Sequence, residues 1–67
     1  MTVSIENIGE IIRYMRMNRG MSRRELAKKA GISLSAISRF EGGTRTPRLE
    51  TLISICEALG ARINIEF

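Results

Sequence analysis

A chain of 67 residues makes one domain and excludes a second, and at that size a single hydrophobic core is only marginally stabilising without a partner. Eleven Lys and Arg stand against seven acidic residues, all Glu, for a formal charge of +4, which favours a polyanionic partner over an acidic one. With no His, no Asp and one cysteine, no catalytic triad, zinc site or carboxylate pair can be assembled, so neither catalysis nor a metal or cofactor is expected.

The lone Cys56 has no internal disulfide partner. No signal-peptide pattern and no apolar run of bilayer-spanning length is present, so the expected location is cytoplasmic, away from membranes. Aliphatic residues supply nearly all the apolar content, since Tyr14, Phe40 and Phe67 are the only aromatics. That balance, with several alanines and methionines, suits a small helical bundle.

In chain order, Ile5, Ile8, Ile12 and Met15 recur at steps of three and four with Ile11 beside them. The spacing predicts an amphipathic first helix from Ser4 or Ile5 to about Asn18, with Ser4 as its N-cap and Gly20 ending it. Ser22-Arg23-Arg24-Glu25 has the form of a capping box, so a second helix of about two turns starts at Arg23 and stops at Gly31. Leu26, Ala27 and Ala30 face inward, and the small Ala27 and Gly31 are expected to let the following helix cross closely.

Ser33 caps a third helix running from Leu34 to about Glu41. At about 100° per residue, Ile37, Phe40 and Glu41 share one side, while Leu34, Ser35, Ser38 and Arg39 share the other. The first side must meet the core. The second is too small and polar to pack in a bundle but is shaped to enter a groove. Gly42 to Thr46 form a loop, and Thr46-Pro47 reads as an N-cap and first helical residue for a fourth helix ending at Gly60. Leu49, Leu52, Ile53, Cys56 and Leu59, with Ile55, are expected to bury one broad face, with Cys56 as a small core residue.

The tail Ala61-Arg62-Ile63-Asn64-Ile65-Glu66-Phe67 alternates strictly, placing Ile63, Ile65 and Phe67 on one side of a strand. A lone strand leaves its backbone groups unpaired. No other segment reads as a strand, so the expected partner is a second copy, antiparallel across a two-fold axis. The resulting expectation is a mainly α fold: residues 1–67 form one domain, a four-helix bundle over 5–60 with a dimerisation strand over 61–67.

Taken together, Arg16, Gly20, Glu25-Leu26-Ala27, Gly31, Ser33, Ile37-Ser38, Glu41, Gly43, Pro47, Leu52 and Leu59 resemble the phage repressor and Cro type (XRE-like) of helix-turn-helix DNA-binding domain, from Ile8 to Gly60. The resemblance implies an internal salt bridge between Arg16 and Glu41, which accounts for an acid on the apolar side of the third helix. It implies that this helix enters the DNA major groove, with base edges read from Leu34, Ser35 and Arg39 and with Ser38 close by. Arg39 is the main reader, because its fork can engage guanine O6 and N7 together. Phosphates are to be held by Ser22 and Arg23 at the start of the second helix and by Thr44, Arg45 and Arg48 in the loop after the third.

The chain departs from the family at Arg23, where glutamine is usual and braces both phosphate and recognition helix. The tail is similar to that of some antitoxin-type members, which implies repression of the chain's own operon and a cognate toxin as partner. The expected function is thus a dimeric, sequence-specific repressor on a pseudo-palindromic operator in double-stranded DNA. The alternative is a protein-interaction adaptor on the same fold, which calls for large exposed apolar residues on the outer face of the third helix.

Overall fold

The computed structural model describes residues 7–62, and these form four helices: α1 (Ile8–Asn18), α2 (Arg23–Ala30), α3 (Leu34–Gly42) and α4 (Leu49–Ala58). Helix α3 packs against both α1 and α2, and α4 packs against α2. One core of Ile12, Leu26, Ala27, Ile37, Phe40, Ile55 and Leu59 lies where they meet.

The capping box at α2 is complete: Glu25 N–H donates to Ser22 Oγ at 3.0 Å, and Ser22 N–H donates to the Glu25 carboxylate at 3.1 Å. That backbone hydrogen bond, with one from the Ser22 side chain, holds the Glu25 carboxyl below its ordinary value. A carboxyl whose pKa falls on folding stabilises the fold above its unfolded pKa, and the contribution disappears as pH falls through the folded one. The urea midpoint is therefore expected to decline on acidification, and Glu25→Gln should flatten that acid limb. An unchanged limb would show that Glu25 does not contribute.

Helix α2 ends at Gly31, whose φ of 71° is left-handed, and Ile32 N–H donates back to Ala27 O at 3.0 Å. The conformation accounts for the glycine. Room for a crossing helix does not, because a Cβ built at Gly31 meets nothing within 4 Å. The close approach lies at Gly9, in the first turn of α1, where a Cβ would stand 2.0 Å from the Phe40 carbonyl oxygen.

Two other expectations need correcting, and a third falls outside the described residues. The described part of α1 begins at Ile8, after Asn7, and the expected cap at Ser4 falls outside the described residues. Helix α4 starts two residues later than expected, with Arg48 as its extended N-cap. Pro47 is buried in the preceding loop, since its fixed φ suits extended chain as well as a first helical turn. Finally, α4 buries a narrower face than expected. Ile55 and Leu59 are buried with Leu52 and Cys56 half-buried, whereas Leu49 is 54% and Ile53 40% exposed. Leu49 sits about a quarter-turn, and Ile53 about a third of a turn, round the helix from the line of Leu52, Ile55 and Leu59 that meets the core.

The expected helix-plus-strand class is overturned: the described residues are all-helical, with no strand among them. Ala61 and Arg62, the first two residues of the expected strand, belong to no regular element. The reason is visible at the end of α4. Gly60 is left-handed at φ 69°, and Ala61 N–H is committed to the Cys56 carbonyl at 2.8 Å, closing the helix instead of opening a ladder. Ile63, Ile65 and Phe67 lie outside the described residues.

Candidate nucleic-acid interface

The inner side of α3 is held in three ways. Ile37 and Phe40 are buried in the core. Ser33 Oγ accepts from Ala36 N–H at 3.0 Å, fixing the first turn. At the far end, Gly43 is left-handed at φ 78°, and Thr44 donates to the Arg39 carbonyl from both its N–H, at 3.1 Å, and its hydroxyl, at 3.3 Å.

The fourth restraint is electrostatic. Arg16 Nε donates to Glu41 Oε2 at 2.8 Å and its Nη2 to Oε1 at 3.0 Å, a bidentate pair buried between α1 and α3. Its remaining nitrogen, Nη1, donates to the Met21 carbonyl at 2.7 Å, so one guanidinium ties the turn before α2 to α3. Glu41 also accepts from Arg23 Nε at 3.2 Å on Oε1. Its side chain is fully buried, that of Arg16 is 11% exposed and that of Arg23 44%. No buried side-chain polar atom among the described residues lacks a partner.

With its inner side thus anchored, α3 turns the rest outward. Ser35 and Arg39 are exposed, Leu34 is 36% exposed and Ser38 is half-buried. The Arg39 guanidinium makes no hydrogen bond or ion pair with another described residue, so its fork is available to a ligand. Arg45 and Arg48 are exposed too and, with Thr46 and Thr51, line a cleft of about 360 Å³ against Ser33, Ala36 and Phe40. Thr44 stands at the exit of α3. Ser22, whose hydroxyl is engaged in the α2 cap, and Arg23 sit at the start of α2, joined to α3 through Glu41. The residues expected to read bases therefore lie on one exposed face, with guanidinium groups near both ends of the helix.

Two contacts were not foreseen from the sequence: Arg23 on Glu41 and Arg16 on Met21 O. The first had a signal, because a carboxylate can accept more hydrogen bonds than the two that a bidentate guanidinium gives it. The second had none, since it depends on the path of the turn. Among the described residues no group of three or more His, Cys, Asp or Glu converges to hold a metal, and no helix is long and apolar enough to cross a membrane.

The tight pair α2 and α3, joined by the Gly31 turn and braced by α1 and α4, defines a helix-turn-helix domain. The chain belongs to the helix-turn-helix family, whose model matches residues 12–65, the phage repressor and Cro class that the sequence resembles. It is 35% identical over 60 residues to the transcriptional regulator ClgR of Mycobacterium tuberculosis, covering 90% of this chain and 54% of that protein. The chain thus spans about half the length of that relative. Among solved structures, the clp gene regulator ClgR from C. glutamicum matches with a TM-score of 0.82 and 34% identity, covering 92% of this chain and 80% of that one. The restriction-modification controller protein C.AhdI from Aeromonas hydrophila matches with a TM-score of 0.83 and 26% identity, covering 87% and 88% respectively.

Proposed function

We propose that this chain is a sequence-specific regulator of transcription that binds double-stranded DNA by placing α3 in the major groove. The observation that carries the reading is the division of α3 into an anchored inner side and an outward face of Ser35, Ser38 and Arg39, flanked by exposed arginines on α2 and on the loop before α4. Arg39 reads guanine, Leu34 meets a thymine methyl, and the two serines accept or donate. Ser22, Arg23, Thr44, Arg45 and Arg48 hold phosphates and set the register. The relatives named as transcriptional regulators support this class of function. An adaptor would need large apolar side chains on the outer face of α3, where Leu34 is the only one.

One short helix reads few base pairs, so two copies on a pseudo-palindrome, with half-sites roughly 34 Å apart, give the specificity a regulator needs. Selection of bound sequences from random duplex DNA tests activity, symmetry and spacing together. A salt titration on the selected site should show affinity falling steeply as salt rises; absent or salt-insensitive binding would overturn the reading. Arg39→Ala is expected to relax preference at one base position at a cost of about 1–3 kcal/mol. Arg45→Ala should weaken all sequences alike and reduce the salt slope by about one. The reverse pattern would exchange reader and clamp.

A further inference from the structure

Arg23 is the point at which the exposed cationic surface touches the buried network. Its Nε donates to Glu41 Oε1 at 3.2 Å, on the same carboxylate that holds Arg16 at 2.8 and 3.0 Å. One acid thus serves two guanidinium groups, leaving a net positive charge. The Arg16 group is spent entirely inside the protein, on Glu41 and on the Met21 carbonyl. The Arg23 group is not: its side chain is 44% exposed, and neither of its Nη nitrogens makes a hydrogen bond with another described residue.

The guanidinium is a rigid plane with five donors, so a bond from Nε to one anion fixes the direction in which both Nη groups point. A lysine in this place has one charged nitrogen on a flexible stem. It can pair with Glu41 or with a phosphate, but it cannot hold both in a set geometry.

Building on the DNA-binding reading above, we infer that Arg23 is a positioning and specificity-determining residue. Its Nε is pinned to Glu41 while its Nη groups take a DNA backbone phosphate, which ties that phosphate to the seat of α3. The phosphate contact then does more than add charge, because it fixes where α3 lies relative to the bases. A complex in register with the groove gains from this geometry. A loose complex on unrelated sequence uses only the charge. The chain thereby carries out with a cation and a buried acid a bracing role that needs no partner side chain on the outer face of α3.

The test uses the full chain, a duplex chosen by selection and a scrambled duplex of equal length, each titrated with salt. Arg23→Lys keeps the charge, and Glu41 keeps its bidentate pair with Arg16, so no buried acid is left uncompensated and the variant's thermal midpoint should stay near that of the parent. Its affinity for the selected duplex should fall about tenfold, the scale of a lost charged hydrogen bond. Its affinity for the scrambled duplex should fall much less, and its salt slope should stay near that of the parent, because the charge is kept. Arg23→Ala should weaken both duplexes and lower the salt slope by about one. By NMR, the Arg23 Nε–H should be protected from exchange in the free protein and stay so on the selected duplex.

Arg23→Lys matching the parent on the selected duplex would overturn the inference, as would an equal loss on both duplexes, which marks an ordinary phosphate contact. An Arg23 Nε–H that exchanges freely in the complex would overturn it too. A parent chain that binds no duplex at any salt would overturn the DNA-binding reading itself, and this inference with it.

Discussion

Gly9→Ala is expected to destabilise the fold although it adds only one methyl group. On helix propensity alone the change gains about 1 kcal/mol. Packing reverses the sign. The added Cβ would lie 2.0 Å from the Phe40 carbonyl oxygen, 3.1 Å from its carbonyl carbon and 3.4 Å from Glu41 Cα, all of them backbone atoms that no rotamer change can clear. Helix α1 must then back away from α3. Gly9, Ile12 and Arg16 are the three buried residues of α1, spaced so that they share one line along it, so the movement loosens the core and the ion pair together.

A net loss of about 1–3 kcal/mol is the usual cost of overpacking, and at about 4–8 °C per kcal/mol for a domain of this size it is readily measured as a fall in thermal midpoint. Gly42→Ala provides the control. Gly42 is helical, and a Cβ there meets nothing within 4 Å, so that variant should be as stable as the parent or more so, by up to about 1 kcal/mol. Equal midpoints for the two variants would show that α1 does not rest on α3 at this glycine.

The contrast between Gly9 and Gly31 shows what was legible in the sequence. Local chemistry was: the Ser22 capping box, the Ser33 cap and the glycine ends of α2 and α3 depend on residues within a few positions of one another, and they lie where the spacing places them. The division of α3 into Ile37, Phe40 and Glu41 against Ser35, Ser38 and Arg39 follows from periodicity and is seen in the burial. Long-range packing was harder to read. A glycine inside an amphipathic helix is a signal, because it sacrifices propensity, but the pattern of α1 does not say what approaches it. The apolar residues of α4 likewise announce a helix without saying which of them reach the core, and Leu49 and Ile53 do not. The alternation of the tail was the least reliable guide for its two described residues, because the closing turn of α4 takes up the N–H of Ala61 and neither Ala61 nor Arg62 is in a strand.

Glu41→Ala is expected to be the most damaging change in the anchored side of α3. The carboxylate is fully buried, and without it Arg16 Nε and Nη2 have no partner in the core. Breaking a buried pair from one side costs about 3–5 kcal/mol, much of the roughly 3–10 kcal/mol available to a domain of this length. The thermal midpoint should fall by on the order of 20 °C. Arg16→Met alone should also destabilise, through the uncompensated acid, although Arg23 remains to offset part of that charge.

The double variant Arg16→Met with Glu41→Leu separates stability from placement. Two apolar side chains of similar volume remove both charges at once, and such replacements are commonly neutral or stabilising. The double variant should therefore recover most of the stability lost by Glu41→Ala, and the double-mutant cycle, completed with Arg16→Met and Glu41→Leu, should show a coupling above about 2 kcal/mol. Its DNA binding should not recover in parallel. Apolar contacts let a helix slide or rotate by small amounts, whereas a bidentate pair with a third nitrogen on the Met21 carbonyl fixes the angle of α3 against both α1 and the turn before α2. Affinity for the selected duplex is expected to stay below that of the parent while affinity for unrelated sequence is kept. A double variant that is stable and binds the selected duplex as tightly as the parent would show that Ile37 and Phe40 alone set the angle of α3.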